Sequence, residues 1–141
     1  MSDYKHILVA IDLGDHSAEI ARRAVDLAQS CGATLTILHV ADYVPPFYGD
    51  YLIPPADDGE EKLIQAATQQ LKDLVDRSAL TGAQTLVVSG RPKVEIARIA
   101  ERENCDLIIV GVHGHHGIVG LLGSTSNGVL QKATCDVLMV R

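Results

Sequence analysis

Five glycines recur at every third position from Gly111 to Gly123, in the run G-V-H-G-H-H-G-I-V-G-L-L-G-S-T. The run follows Leu107 to Val110, which reads as a buried strand, and it precedes Ser124, which reads as a helix cap. Strand, glycine loop and helix start, in that order, aim bare backbone N–H groups and the positive end of a helix dipole at one place. That arrangement surrounds a phosphate. Ser124 and Thr125 add hydroxyls. Glycines also serve tight turns and close backbone packing, so the loop needs a second feature beside it. Asp12, directly after the apolar run His6 to Ile11, is that feature. Open parallel sheets bind ligands beyond the carboxyl ends of their strands, where the strand order reverses. Asp12 and Gly111 both occupy that end. They face one crevice if their strands are neighbours, which the residues alone do not fix. The other reading of Asp12 is a turn residue or a helix-flanking acid.

Other polar residues narrow the chemistry. The pattern G-x-x-x-x-G-K-[S/T] is absent, and no G-x-G-x-x-G follows the first strand, so neither a P-loop nor a dinucleotide fingerprint is present. The glycine run holds no Lys or Arg. A triphosphate there would rely on backbone donors and on a divalent cation held through Asp12 and the phosphates themselves. Arg91 and Lys93 flank Pro92 at the end of another strand; they either reach a phosphate at the same sheet end or form a solvated helix start. His113, His115 and His116 make an H-x-H-H cluster that suits a transition metal. No Cys, Asp or Glu inside the loop completes such a set, and the alternative is histidines facing solvent or phosphate. His39, in an apolar strand, reads as a core histidine with its hydrogen bonds satisfied. No general base or nucleophile stands out, so any hydrolysis of a bound triphosphate would be slow and incidental.

The elements that must position these residues follow from periodicity. Apolar runs at 6–11, 34–40, 85–89, 106–110 and 135–140 predict strands, and the run at 6–11 reads as one buried on both faces. Between them, helices are predicted from Asp15-His16-Ser17 to Gly32, from Glu60 to about Leu80, from Pro92 to about Asn104, and over Ser124 to Lys132. In the second helix Leu63, Ile64, Ala67, Leu71, Leu74 and Val75 share one face. Strands alternating with helices predict an α/β fold, a parallel sheet covered by helices on both faces, joined by right-handed crossovers. The segment 41–59 carries four of the five prolines and four of the five aromatics. It reads as a long loop of the kind that forms lids or binding surfaces. Phe47, Tyr48 and Tyr51 there could cover a base, dock a protein partner along 43–51, or seal the sheet edge.

Composition bounds the rest. A chain of 141 residues, 47% hydrophobic and 21% charged, reads as one domain over 1–141 with a core that needs no disulfide or structural metal. A net charge of −6 argues against nucleic acid or an anionic membrane as a general partner. No window has the roughly 18 apolar residues of a membrane-spanning helix, and the polar start M-S-D-Y-K-H does not read as a signal peptide. Cys31, Cys105 and Cys135 are scattered and odd in number, which suits a reducing cytoplasm.

Taken together, Y-K-H-I-L-V-A-I-D at 4–12, L-H-V at 38–40, D-L-I-I-V-G-V-H-G at 106–114, L-L-G-S-T-S-N-G-V-L at 121–130 and C-D-V-L-M-V-R at the end resemble the universal stress protein family over nearly the whole chain. The resemblance implies an open five-stranded parallel sheet in the order 3-2-1-4-5, of the adenine nucleotide alpha hydrolase-like type, with the first and fourth strands side by side. The family divides into members that bind nucleotide and members that do not. The binders carry G-x2-G-x9-G-[S/T] at this loop. Gly111, Gly114 and Gly123-Ser124 match it, with eight residues rather than nine between Gly114 and Gly123. By this resemblance ATP or a related adenine nucleotide, with Mg²⁺, would be held by Ile11, Asp12, Leu13, Val40, Val110, Gly111, His113, Gly114, Gly123, Ser124 and Thr125. Asp12 would sit by the adenine or the metal–phosphate end, Val40 would line the adenine pocket, and His113 would lie near the ribose or phosphates. The resemblance also implies a homodimer through the terminal strand, 135–141, and a role in stress response or signalling. The alternative function is an interaction module of the same fold with no nucleotide.

Overall fold

A computed structural model describes residues 4–43, 47–48, 51–52, 59–80, 82–112 and 124–141. Along the chain these form β1 (His6–Ala10), α1 (Ser17–Cys31), β2 (Thr34–Ala41), a small ribbon of β3 (Phe47–Tyr48) and β4 (Tyr51–Leu52), α2 (Gly59–Arg77), β5 (Gln84–Ser89), α3 (Pro92–Arg102), β6 (Leu107–Gly111), α4 (Ser124–Lys132) and β7 (Asp136–Val140). The main sheet has the order β5-β2-β1-β6-β7, and every pairing in it is parallel. With the ribbon set aside this is 3-2-1-4-5, the order that the resemblance implies.

The central strands explain why. Ile7, Leu8 and Val9 are fully buried, as are Ile37, Leu38 and Ile108. Successive side chains of a strand point to opposite faces, so apolar residues at consecutive positions require a cover on both sides. Ile7, Val9, Ile37 and Ile109 pack with Ile20, Ala21 and Ala24 of α1 and Leu71 and Leu74 of α2. Leu8, Leu38, Ile108 and Val110 pack with Ile96, Ile99 and Ala100 of α3 and Val129 of α4. Among the described residues no helix is long and apolar enough to cross a membrane.

Local signals place most boundaries within one or two residues. Gly32 ends α1 at φ +67°, and its N–H reaches back to Ala28 and Gln29. Pro92 opens α3, where its missing N–H costs nothing. Ser124 turns out to be the first residue of α4 rather than a cap before it. The apolar face foreseen for α2 is narrower than its sequence suggests: Ala67, Leu71 and Leu74 are buried, but Leu63 is 38% exposed. On the helical wheel Leu63 stays within about 20° of the buried Leu74; its exposure goes with its place in the second turn of α2, ahead of the buried stretch that begins at Ala67. Within the segment expected to be a loop, Phe47–Tyr48 pairs antiparallel with Tyr51–Leu52. Burial pushes the Cys105 thiol up to about 12, helped by nearby Cys135, and burial also raises Cys135. Both stay protonated at neutral pH, so neither is an activated nucleophile.

At the amino-terminal end of the sheet, Asp106 ties β1 to β6. Its carboxylate accepts the backbone N–H of Lys5 at 2.9 Å and of His6 at 3.1 Å. Partial burial opposes the charged form, but these donors outweigh it and hold the carboxyl below its usual value. A lowered folded value stabilises the fold above the unfolded pKa of about 3.9 and loses that contribution as pH falls through the folded value. Asp106→Asn is therefore expected to lower stability at pH 7 by about 1 kcal/mol and to flatten the decline of stability in acid. Urea denaturation at pH 7 and through the acid range measures both; an unchanged acid limb would remove Asp106 from this role.

Candidate functional site

The carboxyl ends of β1 and β6 lie side by side, with Ala10 opposite Val110. The condition left open by the residues alone is met: β1 and β6 are parallel neighbours, so Asp12, beyond β1, and Gly111, at the end of β6, lie at the same end of the sheet. β1 makes its last link through Ile11, whose N–H donates to Leu38 O at 2.9 Å. Ile11 is buried and Asp12 is the first exposed side chain beyond it. His39 fixes the other side of Ile11: Nδ1 lies 2.9 Å from Ile11 O, so Nδ1 carries the proton. His39 is thus the satisfied histidine that its strand suggested, and its ring holds the floor of the crevice in place.

Asp12 is anchored through one oxygen. Oδ1 accepts the N–H of Gly14 at 2.7 Å and the hydroxyl of Ser17 at 3.2 Å. Ser17 is 1% exposed and begins α1. The turn is tight enough that a Cβ on Gly14 would stand 2.9 Å from Oδ1, so glycine is the residue that fits. Leu13 between them has φ +63°, a left-handed conformation that a side chain such as leucine adopts at a cost. Such strain persists only where the surroundings enforce it, and it concentrates at ligand sites. Oδ2 has no partner among the described residues. That free carboxylate oxygen suits a divalent cation shared with phosphates.

Val40 and Val110 are buried together on the face covered by α3 and α4, beneath the same crevice. Gly111 continues the edge: a Cβ there would collide with Ile20 Cδ1 of α1, and Val112 N–H donates to Val140 O at 2.9 Å. Ser124 and Thr125 stand exposed at the start of α4. Of the residues named from the sequence, Ile11, Asp12, Leu13, Val40, Val110 and Gly111 are thus brought to one end of the sheet, and Ser124 and Thr125 start a helix packed on it. His113, Gly114 and Gly123 lie outside the described residues, as do His115 and His116. No group of three or more His, Cys, Asp or Glu that could hold a metal occurs among the described residues.

Sequence reasoning missed Ser17 and Gly14 as partners of Asp12. The D-x-G spacing was the available signal, since an aspartate commonly accepts from the backbone two residues on. Nothing in the composition signals the left-handed Leu13. Asp12→Ala would strip the turn of its acceptor and is expected to cost about 1–2 kcal/mol. Asp12→Asn keeps an oxygen at Oδ1 and should recover most of that loss. Equal stability of the alanine and wild-type proteins in urea would show that the turn holds without the carboxylate.

A family model described as the universal stress protein family matches residues 3–141. Universal stress protein A homolog 1 of Coxiella burnetii is 42% identical over 97% of this chain and 96% of its own length. Universal stress protein UspA of Lactobacillus plantarum is similar in structure, with a TM-score of 0.76, 29% identity and full coverage of both chains. A universal stress protein crystallised in complex with cAMP gives a TM-score of 0.69 at 26% identity, covering 99% of this chain and 98% of its own. Matching motifs, strand order and near-complete coverage in both directions agree, and the chain belongs to the universal stress protein family.

Proposed function

We propose that this protein binds an adenine nucleotide, ATP or a relative, with Mg²⁺ at the crevice beyond β1 and β6, and that it serves stress response or signalling in the cytoplasm rather than rapid turnover. The observation that carries this reading is the juxtaposition of the anchored Asp12 with Gly111 where the strand order reverses. The cAMP complex of a protein of similar fold supports an adenine ligand on this scaffold. Asp12 Oδ2 would share the cation with the phosphates, Val40 and Val110 would floor the base, and Ser124 and Thr125 would meet phosphate oxygens. His113, Gly114 and Gly123 complete the proposed set by their motif positions. The cation would neutralise phosphate charge in a protein whose net charge is −6.

The proposal includes a homodimer through 135–141. β7 is an edge strand, and Leu138 on it is 41% exposed. An apolar edge strand with open backbone groups invites pairing with a second copy. Exposed apolar residues also favour the second reading, an interaction module of this fold that binds no nucleotide.

Calorimetric titration with ATP, with and without Mg²⁺, separates the two. Saturable binding that weakens at least tenfold in Gly123→Val supports the nucleotide reading, whereas no binding of any adenine nucleotide leaves the interaction module. For assembly, light scattering should give a mass of two chains for the wild type and one for Leu138→Glu. A wild-type monomer at tens of micromolar would remove the dimer.

A further inference from the structure

The glycine run contains no basic residue, so any cationic side chain that meets a bound polyphosphate, beside its metal ion and the backbone donors, comes from elsewhere in the fold. α3 and α4 both follow the carboxyl ends of parallel strands and pack on the same face of the sheet. Both therefore run away from the crevice, with their first turns at its edge. Lys93 is the second residue of α3 and Gly128 the fifth of α4. A Cβ built on Gly128 would lie 2.6 Å from Lys93 Cβ, 3.2 Å from Cγ and 3.0 Å from Cδ. The lysine stem thus lies flat against α4 at a place only glycine leaves open. A glycine inside a helix costs about 1 kcal/mol relative to alanine, and this close approach is what it permits.

Direction follows from helix geometry. The Cα–Cβ bond tilts toward the helix N-terminus, and a long side chain covers the turn before its own position. For Lys93 that is the crevice side. From Gly128, one turn of α4, about 5.4 Å, leads back to Ser124. The ammonium lies two bonds beyond Cδ, within reach of that first turn and its exposed Ser124 and Thr125. Lys93 is exposed and has no hydrogen-bond or ion-pair partner among the described residues, and the nearby Glu95 is engaged by Arg98.

We infer that Lys93 makes this crevice prefer an adenine nucleotide carrying a polyphosphate over a monophosphate or a cyclic one. The inference rests on the nucleotide reading above and names the ligand class of that site. An ammonium on a flexible stem is a mobile point charge that suits phosphate oxygens beyond the first phosphate. AMP and cAMP offer no such oxygens.

The test is calorimetry with ATP, ADP, AMP, cAMP and inorganic tripolyphosphate on the wild type, Lys93→Met and Lys93→Arg. Methionine keeps an unbranched stem across Gly128, and arginine keeps the charge. The wild type should bind ATP at least tenfold more tightly than AMP. Lys93→Met should lose at least fivefold for ATP and tripolyphosphate with AMP and cAMP unchanged, and Lys93→Arg should retain the preference. An ATP-to-AMP ratio that is the same in Lys93→Met and the wild type overturns the inference while leaving the nucleotide reading intact. Tripolyphosphate binding that depends on Lys93, without binding of any adenine nucleotide, overturns the nucleotide reading and with it the preference among nucleotides, and leaves Lys93 as a contact for the inorganic anion alone. No binding of any of the five overturns both.

Discussion

β1 sits between β2 and β6 with Ile7, Leu8 and Val9 wholly out of water. A strand buried on both faces and both edges must have every backbone group paired within the sheet. It must also have helices on either side. With parallel neighbours, that is possible only if the chain leaves β1 over one face and returns over the other. The order of the strands therefore reverses at β1. The crevice beyond β1 and β6 is a consequence of that burial, present before any ligand is considered.

The chain pays for leaving the sheet at one place. Ile11 still donates to Leu38, and two residues later Leu13 is already left-handed. A turn this abrupt needs an internal acceptor, and Asp12 Oδ1 provides it for Gly14 and Ser17. The same contacts that complete the turn fix the carboxylate at the mouth of the crevice. The turn contacts use Oδ1 and the proposed cation contact would use Oδ2, so the turn reading and the ligand reading of Asp12 are compatible.

Much of this was legible in the residues. Consecutive apolar positions in 6–11 and 106–110 pointed to the buried strands that β1 and β6 are, and Gly32 and Pro92 punctuate helices by mechanisms that need no tertiary context. Strand adjacency was not legible from patterning, because pairing between β1 and β6 joins segments about a hundred residues apart; it came from the family resemblance. The exposure of Leu63 depends on how much of α2 lies over the sheet, and the role of Gly128 depends on a neighbour in another helix. Both are tertiary facts. The residues left Lys93 either at a phosphate or at a solvated helix start, and its relation to α4 cannot be read along the chain.

The two ends of the sheet treat their polar groups differently. At the amino-terminal end, Asp106 accepts from Lys5 and His6, and Tyr4 donates to Asp136 at 2.7 Å. The His6 ring lies 3.0 Å from Glu103 O and 2.8 Å from Thr36 Oγ1, which donates onward to Gln84 at 3.4 Å. Side chains there are consumed in tying strands and helices to one another. At the carboxyl end, Asp12 Oδ2 and the Lys93 ammonium have no partner among the described residues, and the backbone of α4 begins with exposed Ser124 and Thr125. Polar groups already bonded in the folded chain gain little from a ligand, whereas unbonded groups gain a full interaction, with little further ordering for the anchored Asp12 carboxylate. That division fits the proposed placing of the nucleotide at the carboxyl end. An acidic chain is no obstacle to it, because the net charge of the whole surface is weakened by screening over about 10 Å.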